Sequence, residues 1–128
     1  MKTYLTVSIA MLAGAAIGGG AIQGLHAQAK LPAYVYVESN VNNPEAYGKE
    51  YVPLAGKVIA ENGGKFLVRG GKMVTIEGEP GKPRTIVIAF ESLDKAVAAF
   101  ASPEYKEARK VGDKYSTFRI LAFEGTAQ

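Results

Sequence analysis

An α+β domain, with one four-stranded antiparallel sheet and two helices on one of its faces, is what this sequence predicts, and three observations predict it. Stretches that alternate with period two stand at both ends of the region from Ala33 to Gly125 and again in its middle. Apolar residues at helical spacing fill the two long intervals between them. Each helical stretch opens on a capping residue followed by proline or an acid. The resulting order, β-α-β-β-α-β, makes two similar β-α-β halves, the split arrangement called ferredoxin-like. Right-handed crossovers then put both helices on the same face of the sheet.

The first strand is AYVYVES, Ala33 to Ser39, with Tyr34, Tyr36 and Glu38 on one face and Val35 and Val37 on the other. A helix comes next: Asn42 or Asn43 caps it, Pro44 sits in the first turn where a missing N–H costs nothing, and Glu45 lies near the positive end of the dipole. Tyr47, Tyr51, Leu54 and Val58 form its apolar stripe. Pro53 falls inside that stripe and is expected to kink or break the helix, because its ring clashes with the preceding turn. Asn62-Gly63-Gly64 ends it, since glycine accepts the left-handed cap.

KFLVR is the second strand, with Phe66 and Val68 expected on one face and Leu67 and Arg69 on the other. Gly70-Gly71 interrupts it as a bulge or kink, a tight hairpin being the alternative, and KMVTIEG is expected to resume it. The glycines do not make a phosphate loop: in the pattern G-x-x-x-x-G-K-[ST], Phe66 stands in the first glycine's place and Met73 in the hydroxyl's. GEPGKP is a surface turn. RTIVIAFES is apolar on both faces, Ile86, Ile88 and Phe90 against Val87 and Ala89, as a central strand would be. Ser92 caps the second helix, with Asp94 in the first turn and Leu93, Ala96, Val97 and Phe100 as the buried stripe. Ser102-Pro103 restarts that helix, turning Tyr105, Ala108, Val111 and Tyr115 inward. TFRILAFEG is the fourth strand.

Strands three and four carry large apolar residues on both faces, so the face away from the helices needs cover. A homodimer by sheet-to-sheet packing is the expectation, and a monomer whose open face meets a different protein is the alternative.

The first 29 residues read differently. Lys2 precedes a long uncharged run that ends in Ala27-Gln28-Ala29, the small-x-small form that signal peptidase accepts. The expectation is a signal peptide over residues 1–29 cleaved after Ala29, leaving a single periplasmic or secreted domain over 30–128. A retained anchor is the alternative. Glycines between Gly14 and Gly24 weaken a spanning helix, so no stable membrane insertion is expected after removal. Without cysteine there is no lipid attachment either.

Fifteen basic against twelve acidic residues give a net charge of +3, spread out and without an aromatic-basic sheet pattern, so no nucleic acid is expected as a partner. There is no cysteine or tryptophan, and the single histidine, His26, lies in the expected signal segment. The remaining chain thus offers no thiol nucleophile, no Ser-His pair and no imidazole ligand, and neither metal nor cofactor is expected. Proton transfer would fall to Tyr, Asp, Glu, Lys or water.

Three motifs carry a resemblance: N-P-E-A-Y at Asn43 to Tyr47, G-G-K-F-L-V-R-G-G at Gly63 to Gly71, and S-P-E-Y at Ser102 to Tyr105. With them the chain resembles the domain of unknown function 1330 family across nearly all of residues 30–128. The resemblance implies a dimeric α/β barrel, an architecture shared with small monooxygenases, muconolactone isomerases and haem-dependent chlorite-degrading enzymes. Such a fold hosts many activities and does not choose among them. The histidine on which the haem members depend has no counterpart after residue 29.

A pocket between sheet and helices, or at a dimer seam, would draw on the polar residues that alternation aims inward: Tyr36 (or Tyr34) and Glu38, Arg69, and Glu91. Arg69 reads either as a structural bridge to a carboxylate or as an anchor for a substrate anion. Tyr47, Tyr51, Tyr105 and Tyr115 sit at helical spacing as core aromatics whose hydroxyls can orient a ligand, Tyr47 and Tyr105 foremost. Glu77 and Glu79, or Glu104 and Glu107, make no catalytic pair. Three functions are open: a module binding a small apolar or aromatic molecule, a cofactor-independent isomerase or monooxygenase-like enzyme on small cyclic compounds, or a secreted protein-interaction module.

Overall fold

The computed structural model describes residues 31–127, and the expected signal peptide with its cleavage after Ala29 lies outside them. Strand β1 (Ala33–Val41) is the hub of the sheet. It pairs antiparallel with β3 (Arg84–Phe90) on one side and β4 (Ser116–Glu124) on the other, and β2 (Lys65–Arg69) lies along the far edge of β3. The order β2-β3-β1-β4, with helices packed over one face, is the ferredoxin-like arrangement that the element order predicts. Among the described residues no helix is long and apolar enough to cross a membrane.

Register decides what each face carries. Val35 lies opposite Ile88 and Ala122, and Val37 opposite Ile86 and Ile120, so these residues share the helix-covered face. Tyr34, Tyr36 and Glu38 lie opposite Ala89, Val87 and Thr85 on β3 and Phe123, Leu121 and Arg119 on β4, so all of these share the open face. Val35 and Ile88 are buried under Val58, Ile59, Ala96, Ala99 and Tyr105 from the helices. That is the core.

Helix α1 comes in three pieces, Pro44–Ala46, a π turn at Tyr47–Tyr51, and Val52–Glu61. Asn43 caps it, its side chain accepting from the Ala46 N–H at 3.2 Å. Pro53 interrupts the regular α-helix, as expected of it, without ending the helical run: it stands in the first turn of the Val52–Glu61 piece. The turn before it widens, the Val52 N–H reaching back five residues to the Tyr47 carbonyl, and the helix absorbs the proline there. The extra residue re-phases the rest of the helix, so Leu54 is 44% exposed and Val58 and Ile59 face the core. The stripe expected through Leu54 is corrected on that ground.

Ser92 caps α2 (Leu93–Ala101) and Ser102 caps α3 (Pro103–Gly112), each side chain accepting an N–H three residues on. Within α2 the buried positions are Ala96 and Ala99, while Val97, expected inward, is 55% exposed. The helix stops after Ala101, with its 96/99 edge packed into the core.

Two expectations for the second strand are also corrected. The irregularity falls at Leu67, between Phe66 and Val68, and not at Gly70-Gly71. That bulge returns Arg69 to the face of Phe66 and leaves Val68 on the open side. KMVTIEG does not resume the strand: Gly70 turns away at φ +69, its N–H making a last bond to the Thr85 carbonyl at 3.0 Å. Because β3 begins at Arg84, one residue earlier, the ladder has run out, and a strand without a neighbour to pair with does not form. Met73, Val74 and Ile76 are consequently exposed, Ile76 by 95%.

Candidate functional site

Between α1 and the sheet lies a cavity of about 40 Å³. That is room for a water molecule or a few, and too little for an aromatic ring unless a side chain at its edge moves. Tyr47 and Tyr51 from the π turn, Tyr105 from α3, Phe100 from α2, Phe66 from β2 and Phe118 from β4 contribute aromatic walls, and Val37, Ile86 and Ile88 an aliphatic floor. Arg69 and Arg84, reaching in from neighbouring strands, are the only charged residues among the described ones that line it.

The aromatic walls are mutually braced. Tyr51 lies with its ring centroid 5.1 Å from that of Tyr47 and 5.4 Å from that of Phe118, and Phe100 meets Tyr105 edge-on at 4.7 Å. The Tyr51 and Tyr105 hydroxyls share a hydrogen bond at 3.2 Å, and Tyr47 and Ser39 hydroxyls stand 3.4 Å apart. Burial pushes the Tyr51 phenol well above its ordinary value and raises that of Tyr105 as well. They therefore stay protonated near neutrality and act as hydrogen-bonding groups, not as bases.

Of the residues singled out in the sequence, Tyr47, Arg69 and Tyr105 come together in this cavity. Tyr36 and Glu38 do not: alternation separates the faces of β1 but is silent on which one the helices cover, and theirs is the open one. There the Glu38 carboxylate accepts from the Tyr36 hydroxyl at 2.8 Å and from Arg119 at 3.0 Å. Glu91 lies just past the end of β3 at the surface, bridged to Lys95 at 2.7 Å. The bridge from Arg69 to a carboxylate is likewise absent among the described residues, and its guanidinium instead lies 4.1 Å over the Phe66 ring. The physical reason is the Leu67 bulge, which carries Arg69 away from Glu38's face.

Arg84 is the residue that sequence reasoning missed. The signal was present, since Arg84 opens the third strand in phase with Ile86, Ile88 and Phe90. Its guanidinium lies 5.4 Å from the Tyr47 ring centroid, and its Nε is buried without a hydrogen-bond partner.

The open-face carboxylate gives a pH prediction. Hydrogen bonds from Tyr36 and then Arg119 hold the Glu38 carboxyl below its ordinary value of 4.5. A depressed folded value contributes stability above about pH 4.5 that disappears as the pH falls through the folded value. Thermal melts taken from pH 6 down to pH 3 are expected to lose less stability in Glu38→Gln than in the wild type over that interval. Equal slopes would show that Glu38 carries none of the effect.

The model of the domain of unknown function DUF1330 matches residues 32–126. None of the curated proteins matches the chain. Among solved structures, a protein of unknown function from Rhodopseudomonas palustris is similar over 87% of this chain and 95% of its own, with 17% identity and a TM-score of 0.62. SnoaB, a cofactor-independent oxygenase from Streptomyces nogalater, is similar over 77% of this chain and 96% of its own, with 14% identity and a TM-score of 0.53. A candidate antibiotic biosynthesis monooxygenase from Caulobacter crescentus covers 82% and is itself covered over 99%, with 16% identity and a TM-score of 0.55. At these identities the likeness is one of fold. The family match, spanning the whole described domain but for its outermost residues, is specific, and on it the chain belongs to the DUF1330 family.

Proposed function

We propose that this protein binds a small apolar or aromatic molecule in the cavity between α1 and the sheet. The observation that carries the reading is the wall: six aromatic residues from five elements converge on one small space, with two hydrogen-bonding phenols at hand. Arg69, exposed at the edge with its guanidinium over the Phe66 ring, is the side chain whose rotation opens the space to a ring. The π turn that carries the buried Tyr47 and Tyr51 is of the kind often found at functional sites.

A second reading is supported by the fold shared with a cofactor-independent oxygenase: an enzyme acting on small cyclic compounds without a cofactor. Against it stands the lining, which among the described residues contains no Asp, Glu, Lys, His or Cys to take a proton near neutral pH. Binding is therefore preferred over turnover. The open face of Tyr34, Tyr36, Val87, Leu121 and Phe123 supports a homodimer by sheet-to-sheet packing. Lys2, the apolar run and Ala27-Gln28-Ala29 support export to the periplasm or beyond.

The test is a titration of the purified chain with benzyl alcohol, monitored by the ring resonances of its tyrosines. Saturable shifts confined to Tyr47, Tyr51 and Tyr105, with a rise in melting temperature, are expected. No saturable shift up to the solubility limit, with benzoate as well as benzyl alcohol, would end the reading.

A further inference from the structure

We propose that the ligand of this cavity is an acid: a small aromatic or apolar carboxylate whose charged end is clamped by Arg69 and Arg84. The inference rests on the reading of the cavity as a binding site and adds the ligand's charge and the pair that recognises it. Among the described residues two cations line the space and no carboxylate does. Neither guanidinium has an ion-pair partner among the described residues, although five other ion pairs form elsewhere on the domain. What these two make instead are contacts with aromatic rings, Arg69 over Phe66 and Arg84 beside Tyr47.

Placement on the sheet brings them together. The Leu67 bulge sets Arg69 opposite Ile86, and Arg84 lies two residues along the same strand on the same face. Arg84 passes close over Gly70, where an added side-chain carbon would stand 3.3 Å from its Nη1. Arg69 passes over Gly56, where the same addition would stand 3.1 Å from its Nη2. The two glycines thus leave lanes along which the guanidiniums approach one cavity.

Arg69 is exposed at the rim and keeps its water, but Arg84 brings a positive charge to an apolar cavity with one donor, its Nε, buried and unpartnered, which is unfavourable. A carboxylate resolves both problems at once, since its two oxygens accept from a planar guanidinium in parallel and its charge offsets the pair. The ring or chain of the acid then lies against Tyr47, Phe66 and Phe118. A neutral alcohol of the same shape gains the apolar contact and its oxygen can accept one N–H, but it offers no second parallel acceptor and no charge to offset the guanidiniums.

The experiment compares benzoate with benzyl alcohol on the full chain at neutral pH, in the wild type, Arg84→Met and Arg69→Met. Methionine keeps the apolar stem of each side chain while removing its charge. Benzoate is expected to bind at least about tenfold tighter than benzyl alcohol, to lose that advantage in either variant, and to weaken as salt is added. Arg84→Lys, which keeps the charge and loses the parallel donors, is expected to fall between and serves in place of Arg84→Met should that variant not fold. Equal affinities, unaltered in the variants, would overturn the clamp while leaving the aromatic cavity standing. Preference for benzoate that survives both variants would also overturn it, by placing the anion elsewhere. If neither compound saturates, the cavity reading and the clamp fail together.

Discussion

Ile88→Ala is expected to lower the unfolding free energy by about 3 kcal/mol, the middle of the range for truncating a fully buried aliphatic side chain. Ile88 is 2% exposed in the central strand, opposite Val35 and Phe66, and its Cγ2 would lie 3.0 Å from a carbon added at Gly64. Its neighbours come from sheet and helix alike, so they do not collapse readily into the gap. The gap also adjoins the existing cavity and enlarges it, which raises the cost, since the penalty grows with residual volume. For a domain of this size the melting temperature is expected to fall by about 12 to 24 °C. The control is Ile76→Ala at an exposed loop position, expected to change stability by less than about 0.5 kcal/mol. A loss below about 1 kcal/mol at Ile88 would contradict the packing described for the core.

Leu121→Glu is expected to turn a dimer into a monomer. Leu121 sits on the open face of β4 beside Tyr36, between Arg119 and Phe123. In the proposed back-to-back arrangement a carboxylate there enters an apolar seam, twice by symmetry, while the neighbouring Arg119 is already paired with Glu38. The dimer dissociation constant is expected to rise by about two orders of magnitude, roughly 3 kcal/mol, while the melting behaviour of the isolated subunit changes little. Sedimentation at micromolar concentration reads the result. A wild-type chain that sediments as one well-folded subunit would remove the homodimer, and would leave the open face for a different protein.

The parts of this fold legible in the sequence are those whose causes are local. The caps at Asn43, Ser92 and Ser102 depend on one side chain and an N–H three residues on, and each is where its letters place it. Alternation in β1 separates Val35 and Val37 from Tyr36 and Glu38 because the side-chain period is a property of the strand itself. What depends on a partner was not legible. The Leu67 bulge exists only in the pairing with β3, and the fate of KMVTIEG turns on where that neighbour begins. The same division runs through the site. Tyr47 and Tyr105 could be read from helical spacing, and Arg84 from its phase with Ile88. Which face of β1 the helices cover is a tertiary fact, and it separates Tyr36 and Glu38 from the cavity.

The widened turn at Tyr47–Tyr51 has an evolutionary corollary. A chain that carries one surplus residue in a helix can gain or shed it by a single-codon insertion or deletion, and either event spins everything on one side of it by about 100° about the axis. In a lineage lacking the surplus, the two phenols would still share a face, being four residues apart, but the helix beyond them would meet the sheet in a different phase. Relatives of one architecture can thus diverge in what they hold by length alone, with no substitution among the wall-forming positions.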